Sequence, residues 1–276
     1  MLSRNISIAT ILLAVAPVWA APAASFSSVF FGPDTHMTVL YEEKGPNIGD
    51  TTITKDLGSN FWPAAVKSIL HIDQKAITRL MNDTRQATDL KGAGVKIGLW
   101  DSKGDSYVAT YDYDKVKHVA MKNVEDHWWA AALFTRGNDF NGGDFNNHTI
   151  WPRGSADGLA SLTGQEAKRD KLGSDYDLGD TLTKAVNEKR PVIIKTADGD
   201  RKVNGHMLYG NRNYAVLANK DTKKWQLSDP LGGERWWNWE DFYGRVISVS
   251  YLTAPIDLSK VPNFGAELAD PPCLDV

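Results

Sequence analysis

Three side chains that lie far apart in the sequence could together form a nucleophilic site: Ser59, His206 and Asp229. In a Ser–His–Asp arrangement the histidine takes the serine proton, the carboxylate orients the imidazole, and the serine attacks an acyl carbon. Simpler interpretations exist. Ser59 directly precedes a helical pattern and is a typical helix N-cap, and His206 follows Asn204-Gly205 in a predicted loop, where a lone histidine is usually solvated. The sequence therefore leaves an active hydrolase open as one alternative.

The single cysteine, Cys273, is a poor alternative nucleophile. It follows Pro271-Pro272 in a stretch without periodicity, where nothing holds a thiol against a base. One cysteine also excludes an internal disulfide, so the fold must depend on its core. The six histidines show no spacing that is typical of metal ligands.

The elements that must position these residues begin with a helical stretch. Apolar residues recur at helical spacing from Asn60 to Asn82, with Ser59 or Asn60 as N-cap and Pro63 in the first turn. This stretch is a candidate for division into two helices at Asp73. Two alternating runs around a turn at residues 102–105 then predict a pair of strands.

The rest of the chain is predicted to form further helices and then strands. The helices are predicted at residues 125–134, 154–164 and 178–189, with a long loop at 137–147. Strands are predicted at 190–197, 213–220, 223–230 and 245–254, with a hairpin turn at 221–223. A helical part (about 50–190) followed by an antiparallel β part (about 191–255) is typical of an α+β fold, with a cleft where the two parts meet.

The composition is typical of a globular protein and gives no electrostatic sign of a nucleic-acid or membrane partner. The chain has 276 residues, 42% of them apolar and 24% charged, as in a globular protein with a real core. A net charge of −3 gives no reason to expect nucleic acid or an anionic membrane surface as partner. Ten tryptophans are unusual for this length, and five of them cluster, at 128–129 and 236–239. Packing is the simpler interpretation of these clusters, and stacking on carbohydrate is the alternative.

The two ends of the chain differ from this core. Residues 1–20 combine a positive start, a short apolar run and a small-residue cleavage site, which is typical of a secretory signal peptide. Residues 21–49 read as an irregular arm and 256–276 as a loose tail. Elsewhere no run approaches the roughly 18 apolar residues that span a bilayer. The sequons at Asn82 and Asn147 agree with secretion and predict a glycoprotein.

Five strings follow one another between about Asp50 and Leu252. They are "TKDLGSNFWPAAV" from Thr54, the strand pair around Trp100, "HWWAAALF", "GSADGLASLTG" and "LYGNRNYAVLANKDTKKWQLSDPLGG". Together they resemble the protease core of the calpains, a branch of the papain-like superfamily. The matching family segments are Q-G-x-L-G-D-C-W-F-L-A-A-L, W-x-x-G-x-W-V-x-V-x-x-D, E-x-W-V-P-L-L-E-K, G-S-x-x-E-G-x-x-x-L-T-G, and L-V-x-G-H-A-Y-S-V followed by R-N-P-W-G. The first aligns without a gap. The resemblance implies a papain-like fold, with a helical half packed on an antiparallel half and a cleft between them.

The resemblance also locates the catalytic positions of a calcium-dependent cysteine endopeptidase, and all four are substituted. The nucleophile becomes Asn60, the base Arg212, the orienting residue Asp229 and the oxyanion-hole residue Thr54. An amide cannot replace a thiolate, and an arginine stays protonated at physiological pH. We therefore do not expect hydrolysis by this route. Arg212 and Asp229 would lie close enough to form a charge-assisted pair.

Calcium is the one cofactor that the resemblance suggests. Asp157 stands where calpains have a ligand glutamate, and a second ligand position falls at Thr51, beside Asp50. Ordinary loop acids are an equally good interpretation, so the sequence supports calcium only weakly and predicts no other cofactor.

The sequence thus predicts a secreted calpain-like pseudoprotease that acts as a binding or scaffold protein. An unknown protein or peptide would occupy the former active-site cleft. Two alternatives remain open: an active hydrolase that uses Ser59, His206 and Asp229, and a carbohydrate-binding module that uses Trp236 or Trp237.

Overall fold

The computed structural model describes residues 40–54, 61–83, 94–101, 104–142, 154–173, 177–231, 233–261 and 263–264. By internal contacts the chain divides into residues 1–37 and residues 38–276, and all described residues belong to the second unit. The predicted signal peptide and most of the predicted arm therefore lie outside them. The second unit combines helices with antiparallel sheets, so the predicted α+β class is confirmed.

Helices α1 (Phe61–Ile72) and α2 (Gln74–Arg79) follow one another with only Asp73 between them. In α1 all residues from 62 to 69 are buried, so this helix runs through the interior. The Asp73 carboxylate accepts a hydrogen bond from the Lys75 N–H at 2.9 Å and caps α2. The predicted division of the helical stretch is confirmed.

The prediction of a helix as far as Asn82 is wrong at its end. After α2 the chain forms strand β1 (Met81–Asp83), which pairs antiparallel with β2 (Gly94–Trp100). β2 also pairs with β3 (Ser106–Asp112), which confirms the predicted strand pair. Over so few residues, apolar spacing fits a helix and a strand alike, and only the pairing with β2 decides.

Five more α-helices follow in the described residues: α3 (Tyr113–Val116), α4 (Trp129–Gly142), α5 (Ser155–Thr163), α6 (Leu178–Asn187) and α7 (Trp239–Phe242). The helix predicted at 125–134 begins only at Trp129, as α4. The predicted helices at 154–164 and 178–189 are confirmed. The predicted loop at 137–147 is wrong over 137–142, which continue α4. Gly137 has a packing reason to be there, because a Cβ atom would lie 2.6 Å from the Trp62 ring. The glycine thus lets α4 approach α1 closely.

Eight strands come after α5. They are β4 (Ala167–Lys171), β5 (Val192–Thr196), β6 (Arg201–Val203), β7 (His206–Leu208), β8 (Asn213–Lys220), β9 (Lys224–Asp229), β10 (Gly233–Asn238) and β11 (Val246–Leu252). Six of them form an antiparallel sheet in the order β10-β9-β8-β5-β11-β4, and β6 pairs with β7 as a separate hairpin. The four predicted strands correspond to β5, β8, β9 and β11. The hairpin turn between β8 and β9 is also confirmed, with positive φ at Asp221 and Thr222.

Two apolar clusters form the interior. One joins α1, β2, α4 and α5, and the other joins α6 to β5, β8 and β9. The tryptophans confirm the packing interpretation for the most part, because four of them are at most 1% exposed: Trp62, Trp128, Trp129 and Trp225. Trp236 differs, since it is 49% exposed.

The segment after β11 packs against the first cluster. Arg79 donates hydrogen bonds to the backbone carbonyls of Leu258 and Val261. Phe264 is buried, with its ring centroid 5.5 Å from that of Trp100. This corrects the expectation of a loose tail as far as Phe264. Residues 265–276, with Cys273, lie outside the described residues.

Within the part of the chain that the structure describes, no helix is both long enough and apolar enough to cross a membrane.

Candidate functional site

The candidate site starts at the N-terminus of α1. This helix begins at Phe61, so the predicted nucleophile position, Asn60, stands directly before its first turn. The side chains of Asn60 and Ser59 lie outside the described residues. Their roles as degenerate nucleophile and alternative nucleophile stay predictions.

The segment that leads into α1 lies beside the end of β9. The Ile53 N–H donates to the carbonyl of Pro230 at 2.9 Å, and Pro230 directly follows Asp229. Thr54, the predicted oxyanion-hole position, is exposed, and its N–H donates to the Ala120 carbonyl at 2.8 Å. The chain therefore brings Thr54 and Asp229 to one region, although they are distant in sequence.

A buried lysine ties α1 to the same strand end. Lys67, in the second turn of α1, is 1% exposed, and its Nζ donates to the backbone carbonyl of Asp229 at 2.7 Å. Burial lowers the pKa of Lys67 to about 8, and the carboxylates of Asp229 and Glu234 oppose that change. A buried lysine, protonated below about pH 8, thus lies directly behind the predicted site.

Arg212, the predicted base position, stands directly before β8 and is 7% exposed. Its backbone is held by Thr196 on β5: the Arg212 N–H donates to Thr196 Oγ1 at 3.0 Å, and the Thr196 N–H donates to the Arg212 carbonyl at 2.9 Å. Its guanidinium carbon lies 5.3 Å from the centroid of the Tyr209 ring, within cation–π distance. This position supplies a fixed positive charge and no proton acceptor.

Asp229, the predicted orienting position, ends β9 and is also 7% exposed. Its Oδ1 accepts a hydrogen bond from the Leu231 N–H at 2.7 Å. Burial raises the pKa of Tyr214 on β8, and the nearby Asp229 carboxylate raises it further. A direct ion pair between Asp229 and Arg212 stays a prediction.

A cavity of about 210 Å³, here called the Asp229 pocket, opens beside this carboxylate. It is lined by residues of the β6–β7 hairpin and of β8, β9 and β10. Its lining includes His206, Tyr209, Tyr214, Asp229, Arg235 and Trp237. Two members of the alternative triad, His206 and Asp229, are thus brought to one pocket.

His206 also contacts the strand beside it. Its Nδ1 lies against the guanidinium of Arg235 on β10, at the exposed side of the pocket. The role of His206 as the base of the alternative triad stays a prediction, as does that of Asp229 as its orienting carboxylate.

The residues predicted for calcium lie apart from this pocket. Asp157 is exposed in the first turn of α5. Asp50 and Thr51 are buried, and the Asp50 carboxylate accepts hydrogen bonds from Trp129 Nε1 (2.9 Å) and Asn123 Nδ2 (3.2 Å). Asp50 therefore serves as an internal acceptor that holds the start of α4. Within the described ranges, no group of three or more His, Cys, Asp or Glu side chains could hold a metal ion.

Of the two predicted glycosylation sites, Asn82 is among the described residues. Asn82 is half-buried in β1, at the edge of the three-stranded sheet, where it pairs with Lys96. Asn147 lies outside the described residues. Glycosylation at both positions stays a prediction.

Sequence reasoning missed Lys67 and Arg235 as site residues. Lys67 is the only charged residue in "FWPAAVKSIL". A single charge within an otherwise apolar helix indicates a buried side chain that needs a hydrogen-bond partner. Arg235 lies on β10, a strand that was not predicted, so its place in a pocket had no signal in the sequence.

No protein-family model matches the chain, and no curated protein matches it. Function must therefore be argued from the residues and their geometry.

Proposed function

We propose that this protein is a secreted, calpain-like pseudoprotease: a binding or scaffold protein that holds its ligand beside Asp229 and does not hydrolyse it. The observation that carries the proposal is the buried guanidinium of Arg212 at the position of the catalytic base. A papain-like mechanism needs a group there that alternately accepts and donates a proton. A guanidinium that stays protonated cannot do so.

The arrangement of three elements supports the calpain-like core. In papain-like hydrolases the nucleophile begins a central helix, and the base and the orienting residue lie on neighbouring strands. Here α1 begins directly after Asn60, and the hydrogen bond from Lys67 places α1 against the end of β9. Arg212 precedes β8, the strand that pairs with β9. The elements are in the order that the resemblance requires.

The absence of hydrolysis follows from the number of substitutions. Removing a single member of a catalytic triad typically slows an enzyme by several orders of magnitude. Here all four positions that the resemblance assigns to catalysis are changed. What remains is a cleft with polar and aromatic walls, which suits binding.

A peptidase assay on the full chain tests the proposal. Wild type and Asn60→Cys should leave a mixture of fluorogenic peptides uncleaved. The quadruple variant Thr54→Gln, Asn60→Cys, Arg212→His, Asp229→Asn restores the family's four residues and should show measurable cleavage.

The matched control replaces Arg201, an exposed arginine on β6, by histidine in place of Arg212 and should be inactive. Cleavage of a peptide or ester by the wild type, abolished in Ser59→Ala, would contradict the proposal and make the hydrolase alternative correct.

A further inference from the structure

The charges that line the Asp229 pocket are balanced. Asp229 carries one negative charge and Arg235 one positive charge. His206 lies against the guanidinium of Arg235 in the same lining. An anion or a cation in this space would meet a group of its own sign, Asp229 or Arg235, so the lining favours an uncharged ligand.

The same groups offer donors and acceptors side by side. The Asp229 carboxylate accepts from the Leu231 N–H and interacts with the Tyr214 hydroxyl, and its two oxygens have further lone pairs to offer. Arg235 is a donor, and the imidazole of His206 adds a polar ring. Tyr209 adds a hydroxyl, which can play both roles. A ligand that matches such a lining carries hydroxyl groups, because each of them donates and accepts.

Strand alternation separates the neighbouring tryptophans. Arg235 and Trp237 line the pocket, whereas Trp236, between them, is 49% exposed. Successive side chains of a strand point to opposite faces, so only Trp237 belongs to the pocket. With Tyr209 it gives the lining an aromatic part, of the kind that packs against an apolar ring face.

The size of the pocket, about 210 Å³ and open on one side, suits a small ligand such as a single ring. Pockets for drug-sized ligands are larger, at about 300–1,000 Å³. We propose that the Asp229 pocket binds one neutral sugar ring, with Asp229 and Arg235 bonded to ring hydroxyls and Trp237 against its apolar face. This inference rests on the proposed function, whose ligand class it names.

Isothermal titration of the full chain with neutral methyl glycosides (of glucose, galactose, mannose and N-acetylglucosamine) tests the inference. At least one should bind saturably with one site per chain. Arg235→Met and Asp229→Asn should each weaken that binding at least tenfold, because each removes a hydrogen bond to a charged group. The matched control Trp236→Ala, on the opposite face of β10, should change it less than twofold. Thermal unfolding checks that each variant is folded, and Arg235→Met, at the half-buried rim, serves if Asp229→Asn does not fold.

Three results would overturn the inference: no saturable binding of any glycoside, binding that is lost in Trp236→Ala and kept in Arg235→Met, or Arg235-dependent binding of peptides alone. None of these results bears on hydrolysis. Conversely, peptide cleavage by the wild type would refute the proposed function and leave a measured sugar affinity standing, so the two failures are distinguishable.

Discussion

Replacing Lys67 by methionine should remove a large pH dependence from the stability of this protein. Lys67 is 1% exposed, and burial lowers its pKa from 10.5 to about 8. At about 1.4 kcal/mol for each pH unit, this difference corresponds to about 3 kcal/mol in the free energy of unfolding. Because the side chain is almost fully buried, screening by solvent reduces this value little.

The direction of the effect follows from where the proton is bound. Below pH 8 the lysine is protonated in both states, and folding must bury its charge. Between about pH 8 and 10.5 the unfolded chain binds more protons than the folded one, so the stability of the wild type rises with pH. Lys67→Met lacks this rise. At pH 7 it also loses the hydrogen bond to the Asp229 carbonyl, at a cost of about 1–3 kcal/mol, which offsets the relief of the buried charge.

The measurement is urea unfolding followed by tryptophan fluorescence from pH 7 to pH 10. Near pH 7 the variant should be about as stable as the wild type, and towards pH 10 it should become the less stable of the two. Lys75→Met, at an exposed position on α2, is the matched control and should run parallel to the wild type. Burial also raises the pKa of Tyr111 and Tyr214, but both are present in every protein compared and cancel in the difference. A constant difference between Lys67→Met and wild type at all pH values would refute the reasoning.

Three further predictions concern the site and the packed tail. Arg212→Met and Asp229→Asn should each destabilise the fold by about 3–5 kcal/mol if the two form a shielded pair, and a double-mutant cycle should show coupling. Strictly additive losses would exclude the pair. Asn60→Cys alone should show no peptidase activity, since Arg212 cannot exchange protons; cleavage of a generic peptide by this variant would show that account to be wrong. Gly98→Ala should cost about 1–3 kcal/mol, because the new Cβ would lie 2.2 Å from the Phe264 ring. The cost should shrink in a Phe264→Ala background, and an equal cost in both would argue against the contact.

Two of the strands that the sequence predicted, β5 and β8, have clear apolar runs. β5 and β8 are buried along most of their length, and each reads as a continuous apolar stretch. β4 was missed because it is an edge strand of mostly exposed, charged residues, and its pairing with β11 has no local signal. β10 was missed for another reason: "GERWWN" does not alternate in polarity, although its side chains alternate between the pocket and the solvent.

The sequence predicted where the site residues lie along the strands, but it did not predict which other side chains contact them. The aligned strings located Arg212 directly before β8 and Asp229 at the end of β9, and the structure has both there. The partners come from tertiary contacts that no local pattern encodes. Lys67 reaches Asp229 across 162 residues of sequence, and Arg235 meets His206 across 29.

The buried charge of Lys67 indicates what the residues around Asp229 are arranged for. Burying the protonated lysine costs about 3 kcal/mol below pH 8, and its hydrogen bond to the Asp229 carbonyl offsets that cost, so the lysine brings no net gain in stability over an apolar residue near pH 7. What the lysine adds is position: it holds the carbonyl of Asp229 and so fixes the strand end that carries its carboxylate. Groups that break a local rule of stability are expected where structure serves binding. The buried cation, the carboxylate that it positions and the charge-balanced pocket in front of them are thus better explained together, as parts of one binding site, than separately as features of a core.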